Sequence, residues 1–215
     1  MNLLEAYDRW AATYDSIDNP LMALSAAVLA ERQAIFDGAT VLELGCGTAR
    51  NGVLALAAGA RGYLGVDGSP GMLARARERL DDPRASFVQG DLTVALEERF
   101  DLVLICLVLE HVRDLAPVMA AAARAGRRLL ALELHADLHS GGVGANFRIG
   151  DQEVRLPSHA HDAAELEAAA RAAGFREVVT RSHAPSAAAL ARSPKLARYA
   201  GRSALIELEA TSGGP

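Results

Sequence analysis

Apolar and aromatic positions at the start of the chain, Leu4, Tyr7, Trp10, Ala11 and Tyr14, recur every three or four residues and predict an amphipathic helix. Asp18-Asn19-Pro20 breaks it, and Leu21 to Phe36 reads as a second helix ending near Gly38. From there, short apolar runs alternate with helical patterns. Thr40 to Leu44, Gly62 to Val66, Ala85 to Val88, Phe100 to Cys106 and Arg127 to Leu134 read as strands. Arg50 to Ala58, Pro70 to Leu80 and Asp114 to Arg124 read as intervening helices, with Ser69 as a cap and Pro70 at the first helical position. Strands that are apolar on both faces and alternate with helices imply a parallel sheet covered on two sides. Right-handed crossovers make it doubly wound, and ligands then bind outside the carboxyl ends of the strands.

From His135 to His161 this rhythm stops. The run Gly141-Gly142-Val143-Gly144 and two short extended pieces around Gly150-Asp151 predict a hairpin or lid inserted after the fifth strand. Asp162 and Glu165 start a helix that Gly174 closes. Phe175 to Arg181 and Ser203 to Ala210 read as two final strands, joined by a loop with a partial helix around Pro185 and Pro194.

Composition narrows the class. Of 215 residues, 51% are hydrophobic and 23% charged, the balance of a soluble globular protein. The longest apolar run, Leu102 to Leu109, is too short to span a bilayer, and Met1 opens no cationic-then-apolar leader, so neither a membrane span nor a secretion signal is expected. Two cysteines make no disulfide framework and suggest a reducing, cytoplasmic compartment. A net charge of −5 weighs against a broad nucleic-acid surface. Lys195 is the only lysine among 22 basic residues, an arginine- and alanine-rich usage associated with GC-rich bacterial genomes.

The chemistry concentrates at predicted strand ends. Glu43-Leu44-Gly45-Cys46-Gly47 closes the first strand in a turn whose glycines allow close approach of a ligand. An acid inside such a turn is unsuited to a pyrophosphate and suits a cationic group such as an amino-acid ammonium. Asp67 ends the second strand, where a carboxylate either accepts both hydroxyls of a ribose or caps the Ser69 helix. Gln89-Gly90-Asp91-Leu92 follows the third strand, and Asp91 there either accepts an adenine amino group or makes an ordinary turn. Phe100 to Cys106 runs on to Leu109-Glu110-His111-Val112 at the tip of the fourth strand. The turn at Glu43 lacks the Gly-x-Gly-x-x-Gly arrangement of nicotinamide dehydrogenases.

In this order and spacing, these stretches resemble the class I S-adenosylmethionine-dependent methyltransferases over residues 38–135. The segment from Tyr7 to Asp15 looks like the N-terminal helix of the small-molecule branch, typified by the ubiquinone- and biotin-biosynthesis enzymes. The resemblance implies an α/β fold with a mostly parallel seven-stranded sheet, helices on both faces, a terminal antiparallel hairpin, an N-terminal helical lid (1–37), a cofactor-binding core (38–134), a small insertion after strand five (135–161) and a C-terminal helix and strands (162–215). It implies S-adenosyl-L-methionine as cofactor, S-adenosyl-L-homocysteine as product and a small-molecule methyl acceptor as partner, with neither nucleic acid nor membrane. RNA- or protein-directed methyl transfer and a catalytically silent partner subunit are the alternatives. Glu43, Gly45, Cys46 and Gly47 would surround the methionine portion, Asp67 and Gly68 the ribose, and Met72, Asp91 and Leu92 the adenine. Cys106 and Leu107 would form the floor, and Tyr14 would close over the top. Ala49 stands where the family often has a third glycine, so a slightly shifted turn is expected.

A sulfonium donor is already electrophilic, so catalysis is mostly orientation and desolvation. A base is required only where the acceptor must lose a proton, and His111 and His135 are the candidates. The plainer roles are bonding a backbone carbonyl for His111 and anchoring the lid for His135. Tyr7, Trp10 and Phe147 are candidates for a hydrophobic substrate roof, and Arg148 for contact with an acidic substrate. His159 and His161 have the spacing of an extended metal-ligand pair but no third ligand, so no metal site is expected. Cys46 and Cys106 are expected as reduced packing residues.

Overall fold

A computed structural model describes residues 2–149 and 152–212, the side chains of residues 148, 149 and 152 excepted. The chain opens with α1 (Leu3–Trp10), α2 (Pro20–Glu31), β1 (Thr40–Leu44), α3 (Arg50–Ala57), β2 (Gly62–Asp67), α4 (Pro70–Arg79), β3 (Ala85–Gln89) and β4 (Phe100–Cys106). It continues with α5 (Leu115–Ala125), β5 (Gly126–Leu134), α6 (Ala136–Ser140), β6 (Asn146–Ile149), β7 (Gln152–Arg155), α7 (Ala163–Ala172), β8 (Phe175–His183), α8 (Ala187–Arg192) and β9 (Leu205–Ser212).

Seven strands form one sheet in the order β3-β2-β1-β4-β5-β9-β8. The strands from β3 to β5 are parallel, and β9 runs antiparallel to both β5 and β8. The order reverses between β1 and β4, which puts the switch point at their carboxyl ends. Alternate residues of each strand feed two cores. Val41, Tyr63, Leu102, Leu104 and Leu132 pack on one face with α2, α3, α8 and part of α4. Leu42, Val66, Val103, Ile105 and Leu129 pack on the other with α5 and α7. The central strand β4 therefore buries both faces, as its unbroken apolar run requires.

The first helix stops at Trp10, four residues short of the expected end, and Tyr14–Ser16 form a separate 3-10 turn. The second ends at Glu31 and is followed by a 3-10 turn at Gln33–Ile35. Both differences reflect tertiary packing, which bends the apolar stripe onto the sheet ends where a straight helix would leave it. The inserted hairpin is present as the antiparallel pair β6–β7, although Gly150 and Asp151 themselves lie outside the described residues. Helix α6 escapes the sequence reading because five residues are too few for a helical period. It is anchored by the fully buried Leu138 and capped by His135. Ala49 takes the left-handed conformation itself, with φ +58° at the start of α3. The turn that glycine would ease is thus kept at a cost of roughly 1–2 kcal/mol. Among the described residues, no helix is long and apolar enough to cross a membrane.

Candidate active site

The Glu43–Gly47 turn leaves β1 at the switch point. Gly45 and Gly47 have φ values of +75° and +53°, which favour glycine. A Cβ on Gly45 would stand 2.6 Å from Val108 Cγ2, whereas one on Gly47 would meet nothing within 4 Å. The turn therefore packs against the tip of β4 on one side and opens on the other. It opens into a cavity of about 1410 Å³ outside the carboxyl ends of β1, β2 and β4. Tyr14, Glu43, Gly45, Cys46, Gly47, Asp67, Gly68, Met72, Asp91, Leu92, Cys106 and Leu107 all line it, as do Tyr7 and His111.

Asp67 is held by backbone on both sides. Its Oδ2 accepts from Gly47 N at 2.8 Å and its Oδ1 from Ser69 N at 2.9 Å. It thus ties the glycine turn to the start of α4, while each oxygen keeps a further lone pair. Burial pushes its pKa up against the pull of those two N–H groups. Asp91 makes a local turn, accepting from Thr93 N and Oγ1, and also borders the cavity.

Glu43 is buried and accepts from Asn51 Nδ2 at 2.7 Å and from the Tyr63 hydroxyl. Neither partner is legible in the local motif. Tyr63 faces Val41 across β1 and β2, so strand alternation places it on the same side as Glu43. Burial raises Glu43 to a pKa of about 7. Glu133, at the end of β5, is also buried and accepts from Val108 N, Leu109 N and Leu134 N. It pins the turn after β4, in which Leu107 is forced to φ +55°. Burial, helped by Glu110, raises Glu133 to about 8. Both acids hold protons in the folded chain that the unfolded chain releases, so their ionisation erodes stability as pH rises through this window. The unfolding temperature is expected to fall between about pH 5 and pH 8. A profile that is flat or rising there contradicts these assignments.

His111 lies between two oxygens. A carbonyl can only accept, so Nδ1–H donates to Pro157 O at 2.7 Å, and Nε2 accepts from the Tyr7 hydroxyl at 2.7 Å. Burial raises the pKa of Tyr7 and of Tyr14, keeping both phenols protonated. The carbonyl contact expected of His111 is therefore present, and its other nitrogen faces the cavity through Tyr7.

His135 requires a correction. It lines no part of the cavity; its Nδ1 accepts from Asp137 N at 3.3 Å and its Nε2 stands 3.4 Å from Ser182 Oγ. The chain turns toward β8 directly after β5, carrying this side chain away from the switch point. Phe147 is also displaced from the expected roof, for it stacks on the far side of Trp10 with centroids 5.0 Å apart and lines no described cavity. Arg148 stands in β6, and its side chain lies outside the described residues. His161 Nε2 bonds Val112 O at 2.7 Å, and among the described residues no group of three potential ligands is arranged for a metal. Cys46 and Cys106 are free; burial raises both thiols, Cys106 to about 12, so neither is a thiolate at neutral pH.

The N-terminal segment closes one side of the cavity through contacts that the sequence did not reveal. Asp8 accepts from Ser69 Oγ and from Gly71 N at 2.8 Å, and Asp15 accepts from Thr48 Oγ1 at 3.1 Å and from Arg79. The insertion lines no part of this cavity and packs on the turn after β4 that borders it. Ser158 Oγ and Ala145 N donate to Glu110, and Pro157 O accepts from His111.

Residues 41–130 match the family model of a methyltransferase domain. An uncharacterized methyltransferase of Emericella nidulans is 31% identical over 219 aligned residues, spanning 81% of this chain and 76% of that protein. The chain belongs to the class I S-adenosylmethionine-dependent methyltransferases. Solved structures share the methyltransferase fold. A Listeria monocytogenes protein assigned as an S-adenosylmethionine dependent methyltransferase superposes with a TM-score of 0.74 at 17% identity, covering 91% of this chain and all of that one. The DhpI–SAH complex gives 0.71 at 21% identity, covering 98% and 96%. The methyltransferase thus has its cavity where its family's strand order puts the switch point.

Proposed function

We propose that this methyltransferase moves a methyl group from S-adenosylmethionine to a small-molecule acceptor by in-line displacement, leaving S-adenosylhomocysteine. One observation carries the reading: Asp67, Glu43 and the open side of Gly47 face a single large cavity at the switch point. Its volume exceeds the roughly 300–1,000 Å³ of ordinary small-ligand sites, so a nucleoside and an acceptor fit together. The donor set suits the cofactor. The remaining lone pairs of Asp67 accept a ribose diol, Glu43 faces a positive charge, and Met72 and Leu92 offer apolar surface beside Asp91 for an adenine. Bound there, the cofactor supplies a methyl group on a positively charged sulfur.

The chain's own part is to orient, to exclude water and to take a proton. Leu107 and Cys106 form the floor at the tip of β4. Residues 2–37 act as a lid latched by Asp8 and Asp15. Tyr7 and His111 together form the proton acceptor, with the phenol as the contact and the imidazole as the sink. An entrance covered by the N-terminal segment and a net charge of −5 favour a small acceptor over RNA or protein.

The test is to incubate the protein with methyl-labelled S-adenosylmethionine, a low-mass metabolite extract, and separate RNA and protein pools. Label is expected in the low-mass fraction. Label confined to RNA or protein contradicts the small-molecule reading.

A further inference from the structure

A second hollow of about 230 Å³ adjoins the large cavity and shares Tyr7, Tyr14, Met22 and Leu107 with it. Four aromatic residues line it, Tyr7, Trp10, Tyr14 and Tyr199. Tyr7 stacks on Trp10 with centroids 5.7 Å apart, and Tyr14 meets Trp10 edge-on at 4.8 Å. Two polar groups in its wall are left over by the fold. Trp10 is 5% exposed, and its indole Nε1 has no hydrogen-bond partner among the described residues. Such a donor costs roughly 1–3 kcal/mol unless a ligand satisfies it. Glu110 is 7% exposed, and only neutral donors reach it: Ser158 Oγ at 2.9 Å and Ala145 N at 3.3 Å, both on Oε2.

Among the described residues, no cation lies within ion-pair distance of Glu110. A buried carboxylate without a counter-charge is expensive. Two further charged residues, Asp18 and Arg198, stand in the wall. Asp18 pairs with Lys195 at 3.6 Å, and Arg198 lies over the Tyr199 ring and donates to Lys195 O. The hollow is therefore aromatic, with a carboxylate at Glu110 and a guanidinium at Arg198 that have no ion-pair partner among the described residues, and with an indole N–H donor. Aromatic faces and a carboxylate together select a cation.

We infer that this hollow is the acceptor subsite and that its ligand is an amine, held as an ammonium beside Glu110 and the rings of Tyr7 and Tyr14, with an oxygen elsewhere on the same molecule accepting from the Trp10 indole N–H. The inference rests on the methyl-transfer reading and narrows it to nitrogen. An ammonium has no free lone pair, so it must shed a proton first. Tyr7 borders both cavities and donates to His111 Nε2. The N–H proton passes to the Tyr7 oxygen as the Tyr7 proton passes to His111. The freed lone pair forms the N–CH3 bond as the S–CH3 bond breaks, and the released proton rests on His111.

Trp10 is the chain's only tryptophan, so its fluorescence reports the hollow directly. The probes are benzylamine, benzyl alcohol and benzoate, each titrated with and without saturating S-adenosylhomocysteine. Benzylamine is expected to bind about ten-fold more tightly than benzyl alcohol, and benzoate more weakly than either. Glu110→Gln keeps acceptors for Ser158 and Ala145 and is expected to erase the preference. Equal or reversed affinities in the wild-type protein, or a preference that survives Glu110→Gln, overturn the inference. The wild-type comparison decides even where the variant is unstable. Calorimetric binding of S-adenosylhomocysteine in the same samples separates the two readings. Binding without an amine preference defeats only the amine subsite, and no binding defeats the proposed function while the probe order still judges the subsite.

Discussion

Asp67→Ala is expected to weaken S-adenosylhomocysteine binding by about 100-fold. The carboxylate is argued to accept two sugar hydroxyls, and hydrogen bonds to a charged group contribute roughly 1.5–3 kcal/mol each. Alanine also strips the partners from Gly47 N and Ser69 N, loosening the glycine turn and the start of α4 that the carboxylate joins. Two such losses amount to at least about 3 kcal/mol, the equivalent of two decades in affinity or more. Asp67→Asn keeps one acceptor oxygen and is expected to fall between, at about ten-fold. Titration calorimetry reads both. Wild-type affinity in the alanine variant would leave Asp67 as a helix cap alone.

Tyr7→Phe is expected to lower turnover by about 100- to 10,000-fold, the usual range for loss of a positioned proton acceptor. The ring stays, so stacking on Trp10 and the shape of both cavities are kept. What is lost is the hydroxyl that links the acceptor to His111 Nε2. S-adenosylhomocysteine affinity is expected to change by less than about three-fold, because that hydroxyl is assigned to the proton and not to the nucleoside. His111→Ala is expected to cost a similar factor, and the double variant little more than either single one, because groups acting as a unit are not additive. Single-turnover rates with bound cofactor check this. Multiplied effects in the double variant would contradict a joint role for the pair.

These two sites differ in how far they could be read from the chain alone. Glu43, Gly45, Gly47, Asp67 and Asp91 sit at the ends of strands whose apolar runs announce themselves, so a parallel sheet carries them to one edge whatever the loops do. The same strand-end logic fails for the second hollow. Tyr7, Trp10 and Tyr14 meet Leu107, Glu110 and Ala145 only because a bent N-terminal segment and an inserted hairpin fold over the same strand tip. Glu133 is hidden for a related reason: within an apolar strand nothing local says that a carboxylate will be met by three backbone N–H groups from its own strand end and the neighbouring turn. His135 shows the converse error. Position at a strand end implies access to the switch point, but the chain turns away at that residue to cap α6 and reach Ser182. His111 makes the carbonyl contact expected of it through Nδ1 on Pro157, while its other nitrogen accepts from Tyr7, a partner that no local motif announces.

Calorimetric titration of the wild-type protein with S-adenosylhomocysteine tests the central assignment most directly. The expected result is a saturable isotherm with one ligand per chain. Absence of binding heat up to millimolar ligand, in protein that unfolds cooperatively, would contradict it.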